Sequence, residues 1–168
     1  FDIPNTVAGA VRSLLPLEPK LLTVHASGGV KMIAAAAEAA AQAKEKRPKI
    51  LAVTVLTSFD SAGLAATGIE CSPAEQVLRL ARLALEAGAD GLVCSPHEIA
   101  LLRRELGSEP LLVVPGIRPA GADVADQTRV MTPELAVAAG ADYIVVGRPI
   151  TGATNPSEAA ATIAEAIV

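Results

Sequence analysis

Five short apolar runs recur along the chain, each closed by turn-forming residues: "LLTVH" (21–25), "ILAVTVL" (50–56), "GLVCS" (91–95), "LLVVP" (111–115) and "YIVVG" (143–147). They are branched and nearly unbroken. A strand with one wet face alternates apolar and polar residues, whereas a strand buried on both faces does not. The runs therefore predict strands of a covered parallel sheet. Helical patterns separate them, at roughly 29–46, 73–88, 96–106 and 133–140, with a last one at 156–168. A further helix starts at Pro4, where Val7, Val11, Leu14 and Leu15 follow at helical spacing. Ser72-Pro73 and Thr132-Pro133 each set a capping hydroxyl before a proline at the first helical position. Gly88, Gly107 and Gly140 stand where helices should stop.

The chain also echoes itself. "LEAGADGLVCSP" (85–96) and "VAAGADYIVVGRP" (137–149) share a helix end, a Gly-Ala-Asp turn and a strand at an offset of 52 residues. Repeated strand-helix units predict an α/β fold. Pattern alone leaves two architectures open, a doubly wound open sheet and a closed (β/α)8 barrel. Five strands suffice for the first and are too few for the second.

Length and composition narrow the function classes. At 168 residues the chain holds one domain with a substantial core and is too short for two comfortable ones. Only three residues are aromatic, so Ala, Val, Leu and Ile must build that core. A net charge of -4 and the lack of a long Lys/Arg run argue against a nucleic-acid partner. "KEKRPK" (44–49) sits at a helix end before a strand and reads as a solvated cap. No apolar stretch reaches membrane-spanning length, and Cys71 and Cys94 lack metal-ligand spacing, which fits a reducing cytoplasm.

In both architectures ligands bind beyond the C-terminal ends of the strands. His25 to Gly29 follow the first strand, and Thr57, Ser58 and Asp60 the second. Ser95, Pro96 and His97 follow the third, "PGIRPAGADVADQTRVMTP" the fourth and "GRPITGATNP" the fifth. Gly147 uncovers backbone amides beside Arg148, and a guanidinium can pair two phosphate oxygens at once. The long loop before it carries Arg118 and Gln127 in an apolar and acidic setting, and long loops in compact domains are usually functional. These residues form the candidate phosphate site. His97 and Glu98 read as a solvated first turn, and Cys94 as buried and inert. His25 reads equally as a structural hydrogen bonder or a site-lining residue. "SGG" (27–29) lacks the Lys-Ser/Thr that completes a phosphate loop, and Ser58 lacks a paired base.

"DIPNT", "VHASGG", "VTVLTS", "PGIRPAG…DQTRVMTP" and "GADYIVVGRPI" occur here in one order, from Asp2 to the C-terminus. In this the sequence resembles the bacterial orotidine 5'-phosphate decarboxylases. The resemblance implies a (β/α)8 TIM barrel, a homodimer with active sites shared across the interface, and cofactor-free conversion of orotidine 5'-monophosphate to UMP and carbon dioxide. It implies that the chain begins inside an Asp-x-Lys-x-x-Asp-Ile-Pro-Asn-Thr segment leaving the third strand. Three strand-helix units and the catalytic lysines would then lie upstream, with residues 1–168 belonging to a single barrel domain. Carried over position by position, Asp2 is the carboxylate that reaches the partner's site, and Ile3, Pro4, Asn5 and Thr6 belong to the same segment. Of these, Ile3 and Thr6 line the partner's pocket. Thr57 meets the pyrimidine edge, and Arg118, Gln127, Gly147 and Arg148 hold the phosphate. Phe1 replaces the His common at its position. No metal site and no membrane contact are implied. The competing expectations are another phosphate-binding barrel enzyme sharing the "GADxIVVGR" ending, such as a sugar-phosphate synthase or epimerase, and a non-catalytic nucleotide-binding or dimerising fragment.

Overall fold

A computed structural model describes residues 1–119 and 130–167. Strands β1 (Leu21–His25), β2 (Lys49–Val53), β3 (Gly91–Val93), β4 (Leu111–Val114) and β5 (Tyr143–Ile144) form one sheet in the order β1-β2-β3-β4-β5. All four pairings are parallel. A doubly wound sheet reverses its strand order at a switch point, whereas a barrel wall lays each strand beside the last. The consecutive order decides between the two architectures: these are five successive strand-helix units of a (β/α)8 wall.

Alternation along the strands separates two faces. In register across the sheet lie Val24, Ala52, Leu92 and Leu112, flanked by Ile50 and Val114. All six are buried in the main core, together with Ile33 and Ala36 of α2 (Val30–Ala41), Val77 and Ala81 of α4 (Pro73–Glu86) and Ile99 and Leu102 of α5 (Ile99–Leu106). The alternate register row runs His25, Val53, Val93, Val113 and Tyr143, with Thr23 and Leu51 beside it. It forms the inner face. Leu51 and Val113 are buried there without joining the main core, while Thr23, His25 and Tyr143 are exposed.

The caps form as read. Ser72 makes a reciprocal box with Glu75 at the start of α4, and those hydrogen bonds hold the Glu75 carboxyl below its ordinary range. The Thr132 hydroxyl accepts from the Leu135 amide at the start of α6 (Pro133–Ala138). The helix after Pro4 is α1 (Pro4–Leu14), which packs on α2 through Val7, Ala8 and Val11. Gly88, Gly107 and Gly140 end helices with φ of 95°, 76° and 108°, where a side chain would be strained.

Several boundaries differ from the sequence reading. β2 stops at Val53, where the Thr54 amide makes the last ladder bond to the Val93 carbonyl and the Thr54 hydroxyl donates to the same oxygen. β3 stops at Val93 and β5 at Ile144, short of the apolar runs. The helix predicted over 29–46 ends at Ala41, and a 3-10 turn follows with Lys44 in the left-handed region, φ 53°. The predicted last helix is α8 (Pro156–Glu165), and two short helices, α3 (Ser61–Ala66) and α7 (Arg148–Thr151), were not predicted. "KEKRPK" is more than a solvated cap. Lys46 pairs with Glu18, while Arg47 and Lys49 reach Asp90 at 2.8 and 3.3 Å.

The 52-residue echo has a structural meaning. Asp90 accepts from the Ile50 amide at 2.8 Å, and its own amide donates to the Ile50 carbonyl at 2.8 Å. Asp142 repeats this on Leu112, at 2.7 and 3.0 Å. Arg47 serves the first carboxylate, and Arg103 the second, at 2.6 Å. Each Gly-Ala-Asp turn thus pins the start of the preceding strand.

Candidate active site

The segments picked out in the sequence gather at the C-terminal rim of the sheet, because every strand points the same way. Asp2 leads into α1, with its Oδ1 accepting from the Ile3 amide at 2.7 Å and the side chain open to solvent. Pro4 takes the first helical position, and Asn5 and Thr6 follow in the first turn. Asp2 and Thr6 line a cavity of about 460 Å³ along the edge of β1, walled by residues 22–25 of that strand on both of its faces, by Val53 and by Val7, Ala10, Val11 and Leu14 of α1. Ile3 and Asn5 stand outside that lining, and Ile3 is 66% exposed.

A second cavity of about 410 Å³ lies beside the first, and Phe1 and His25 line both. Their rings meet edge to face with centroids 6.5 Å apart. His25 therefore lines both cavities, with its ring held against Phe1. The second cavity is bounded by the turn after β2, through Leu56 and Phe59, and by Leu64, Ile69 and Leu80. Thr57 sits half-buried in that turn. After β3, His97 is exposed as expected, but Glu98 is not solvated. It is buried, and its carboxylate accepts from the Ser95 amide at 3.0 Å in a second reciprocal cap. Cys94 is buried, as expected.

The candidate phosphate residues divide. Arg118 is only 8% exposed, and its Nη1 donates to the Ile117 carbonyl at 2.8 Å. Its amide donates to Met131 at 2.9 Å, and the Met131 amide donates to Gly116 at 3.3 Å, so the base of the long loop is cinched. The same loop ends at Thr132 and Glu134, whose carboxyl is lowered by hydrogen bonds from its own amide and from Thr132. Gly147 caps α7, its carbonyl accepting from Ile150 and Thr151 at 2.9 and 3.1 Å, and the exposed Arg148 opens that helix. Gln127 lies outside the described residues. Among the described residues no three His, Cys, Asp or Glu side chains come together as a metal site.

The sequence reading missed Phe1, Thr23 and Val53 as cavity walls, and Thr54 and Phe59 as the residues that shape the turn after β2. Only the strand alternation placing Thr23 and Val53 on one face with His25 signalled the first group. Nothing in the local pattern signalled Phe59.

Residues 1–163 match the orotidine 5'-phosphate decarboxylase / HUMPS family. The chain is 61% identical over 167 residues to the orotidine 5'-phosphate decarboxylase of Gluconobacter oxydans, covering 98% of this chain and 71% of that protein. To the enzyme of the same name from Frankia casuarinae it is 54% identical, over 97% of this chain and 58% of that one. Among solved structures, the orotidine 5'-phosphate decarboxylase of Lactobacillus acidophilus superposes with a TM-score of 0.85 at 40% identity, covering 99% of this chain and 71% of that one. That from Pyrococcus horikoshii gives 0.72 at 27%, covering 99% and 69%.

Proposed function

The chain belongs to the orotidine 5'-phosphate decarboxylase / HUMPS family, and on that footing we propose that its protein converts orotidine 5'-monophosphate to UMP and carbon dioxide. One observation carries the reading beyond the family match. The consecutive parallel strands set Thr57, Arg118, Gly147 and Arg148 beyond their C-terminal ends, and Asp2 shares a cavity with His25 at the end of β1. Asp2 is open to solvent in the single chain, and packing against a neighbouring subunit's site is what would exclude water from it, where charge is weakly screened.

The chemistry asks for that setting. Breaking the bond between C6 and its carboxylate leaves an electron pair on C6, with little resonance to spread it, and a proton must then reach that carbon. Asp2 supplies fixed negative charge beside the departing carboxylate. The repulsion is felt by the bound substrate and relieved as neutral carbon dioxide leaves, so it favours the transition state over the ground state. The proton comes from a lysine of the Asp-Lys-Asp-Lys array to which the family motif assigns Asp2. Thr57 meets the pyrimidine edge.

Phosphate binding falls to Gly147 and Arg148 at the end of β5, with Arg118 and Gln127 from the loop between Pro115 and Pro133. A guanidinium offers five N–H donors in a planar fork. Arg118 stands at the base of that loop, its amide tied to the Met131 carbonyl. Binding energy from the remote phosphate then serves to orient the base.

The protein works as a homodimer in which Asp2, Ile3 and Thr6 serve the neighbouring subunit's site. An isoleucine 66% exposed beside a rim carboxylate supports this. It acts in the cytoplasm. Neither Cys71 nor Cys94 is disulfide-bonded, and no helix among the described residues is long and apolar enough to cross a membrane.

The test of the phosphate assignment is Arg148→Ala. Calorimetric binding of UMP should weaken by about 2–4 kcal/mol, the scale of a lost charge-assisted contact, while binding of uridine stays unchanged. Equal losses for both ligands would make Arg148 structural. Failure of the full-length wild-type protein to turn over orotidine 5'-monophosphate would end the decarboxylase reading.

A further inference from the structure

Thr57 contacts no substrate unless the turn that carries it is held in place, and the structure shows what holds it. The Phe59 amide donates to the Leu56 carbonyl at 2.9 Å, closing Leu56–Phe59 into a four-residue turn with Thr57 at its second position. On the strand side, Thr54 is buried and fixed to the Val93 carbonyl through its amide at 3.1 Å and its hydroxyl at 2.8 Å. On the other side, Asp60 caps α3, its Oδ1 accepting from the Gly63 amide at 2.8 Å. The two ends of the segment are thus tied by hydrogen bonds. Its middle is anchored by a side chain.

That side chain is Phe59. Its ring is half-buried, packs against the main core and lines the cavity of about 410 Å³ with Leu56, Leu64, Ile69 and Leu80. The space beside the ring matters. In a tight core, a truncated side chain leaves a hole that the backbone resists filling. Here the turn would gain room to move into a cavity that already exists, carrying Thr57 with it.

We infer that Phe59 is a positioning residue for Thr57, seating the turn after β2 so that the threonine meets the base of the nucleotide. The inference rests on the decarboxylase reading, and it deepens that reading by separating base recognition from phosphate recognition. Phe59 is part of the cavity wall behind that turn. It acts on affinity only through Thr57, and only for ligands that carry a base.

The experiment compares UMP with ribose 5-phosphate, which has the phosphate and lacks the base, by calorimetry on the full-length protein, with a thermal melt for every variant. Phe59→Ala should weaken UMP about tenfold, the cost of displacing a contact by a fraction of an ångström to an ångström, and leave ribose 5-phosphate unchanged. Phe59→Leu, which keeps most of the apolar volume, should give a smaller loss confined to UMP. It serves as the measured variant if the alanine protein does not fold. Thr57→Ala should weaken UMP on its own, and adding Phe59→Ala to it should bring little further loss, because the second residue acts through the first. Equal losses for both ligands overturn the proposal, as do losses that simply add in the double variant. Wild-type protein that binds ribose 5-phosphate and not UMP overturns the decarboxylase reading itself, and the proposal with it.

Discussion

Replacing Asp90 by alanine tests whether the Gly-Ala-Asp turns pin the sheet. Its carboxylate accepts from the Ile50 amide, from Arg47 and from Lys49, at 2.8, 2.8 and 3.3 Å. Ile50 is completely buried, so Asp90→Ala orphans a backbone donor that water cannot reach. Such a donor costs about 1–3 kcal/mol. The ion pairs add less, because the Arg47 side chain is 27% exposed and that of Lys49 52%, and both can turn to solvent. The total is about 2–3 kcal/mol, which moves a urea midpoint down by about 1 M at the usual slope. Asp90→Asn keeps an oxygen for Ile50 but replaces the Oδ1 acceptor of Arg47 and Lys49 by an NH2 group, losing the charge and those two partly exposed contacts, and should cost about 1 kcal/mol. The pH dependence follows from the same contacts. Burial pushes the carboxyl up, but the bonds from Arg47, Ile50 and Lys49 and the Arg47 charge outweigh it, and its pKa falls below the ordinary 3.8. A lowered value in the folded state means that the contribution is complete above pH 3.8 and is lost as pH falls through the lower folded value. The gap between wild type and Asp90→Asn should therefore hold steady near neutrality and close in acid. Urea melts that leave Asp90→Ala at the wild-type midpoint, or a gap that ignores pH, would refute the pinning role.

Arg103 donates to the carbonyls of Gly107, Pro110 and Gly140 and to Asp142, so Arg103→Ala should destabilise by about 2–4 kcal/mol, and Arg103→Lys, which cannot reproduce the fork, should recover little of it in the same urea melts. Gly91→Ala would place a methyl carbon 2.6 Å from the Leu111 Cβ and closer still to that residue's backbone oxygen, so β3 and β4 must part. A cost of about 1–3 kcal/mol is expected by chemical denaturation, and an unchanged midpoint would show the strands already apart. Full-length Asp2→Asn, inactive alone, mixed with a variant lacking a lysine of the same array, should regain activity toward about a quarter of wild type, since half the dimers are mixed and each has one intact site. No recovery while mixed dimers form would place Asp2 in its own subunit's site.

Features that depend on neighbours along the chain were legible in the residue pattern. Unbroken apolar runs mark strands covered on both faces, a hydroxyl before a proline marks a helix start, and a glycine with positive φ marks a stop. These follow from burial, capping and steric limits that act within a few residues. The rim was legible for the same reason. Once the strands are parallel, the residues after each run must share one end, which brought Thr57, Arg118, Gly147 and Arg148 to the same side, whereas Asp2 was placed by the family resemblance. Tertiary structure decided the rest. The consecutive strand order chose the barrel wall over the open sheet. The Thr54 hydroxyl at the end of β2 is fixed by the Val93 carbonyl of the neighbouring strand, which nothing local announces. Asp90 looks like an ordinary turn residue until Ile50 and Arg47 arrive beside it, and Phe59 looks like loop surface until Leu64, Ile69 and Leu80 form its pocket. Local pattern states how much burial a residue wants and leaves open which distant group will supply it. That choice belongs to the packing of the whole chain.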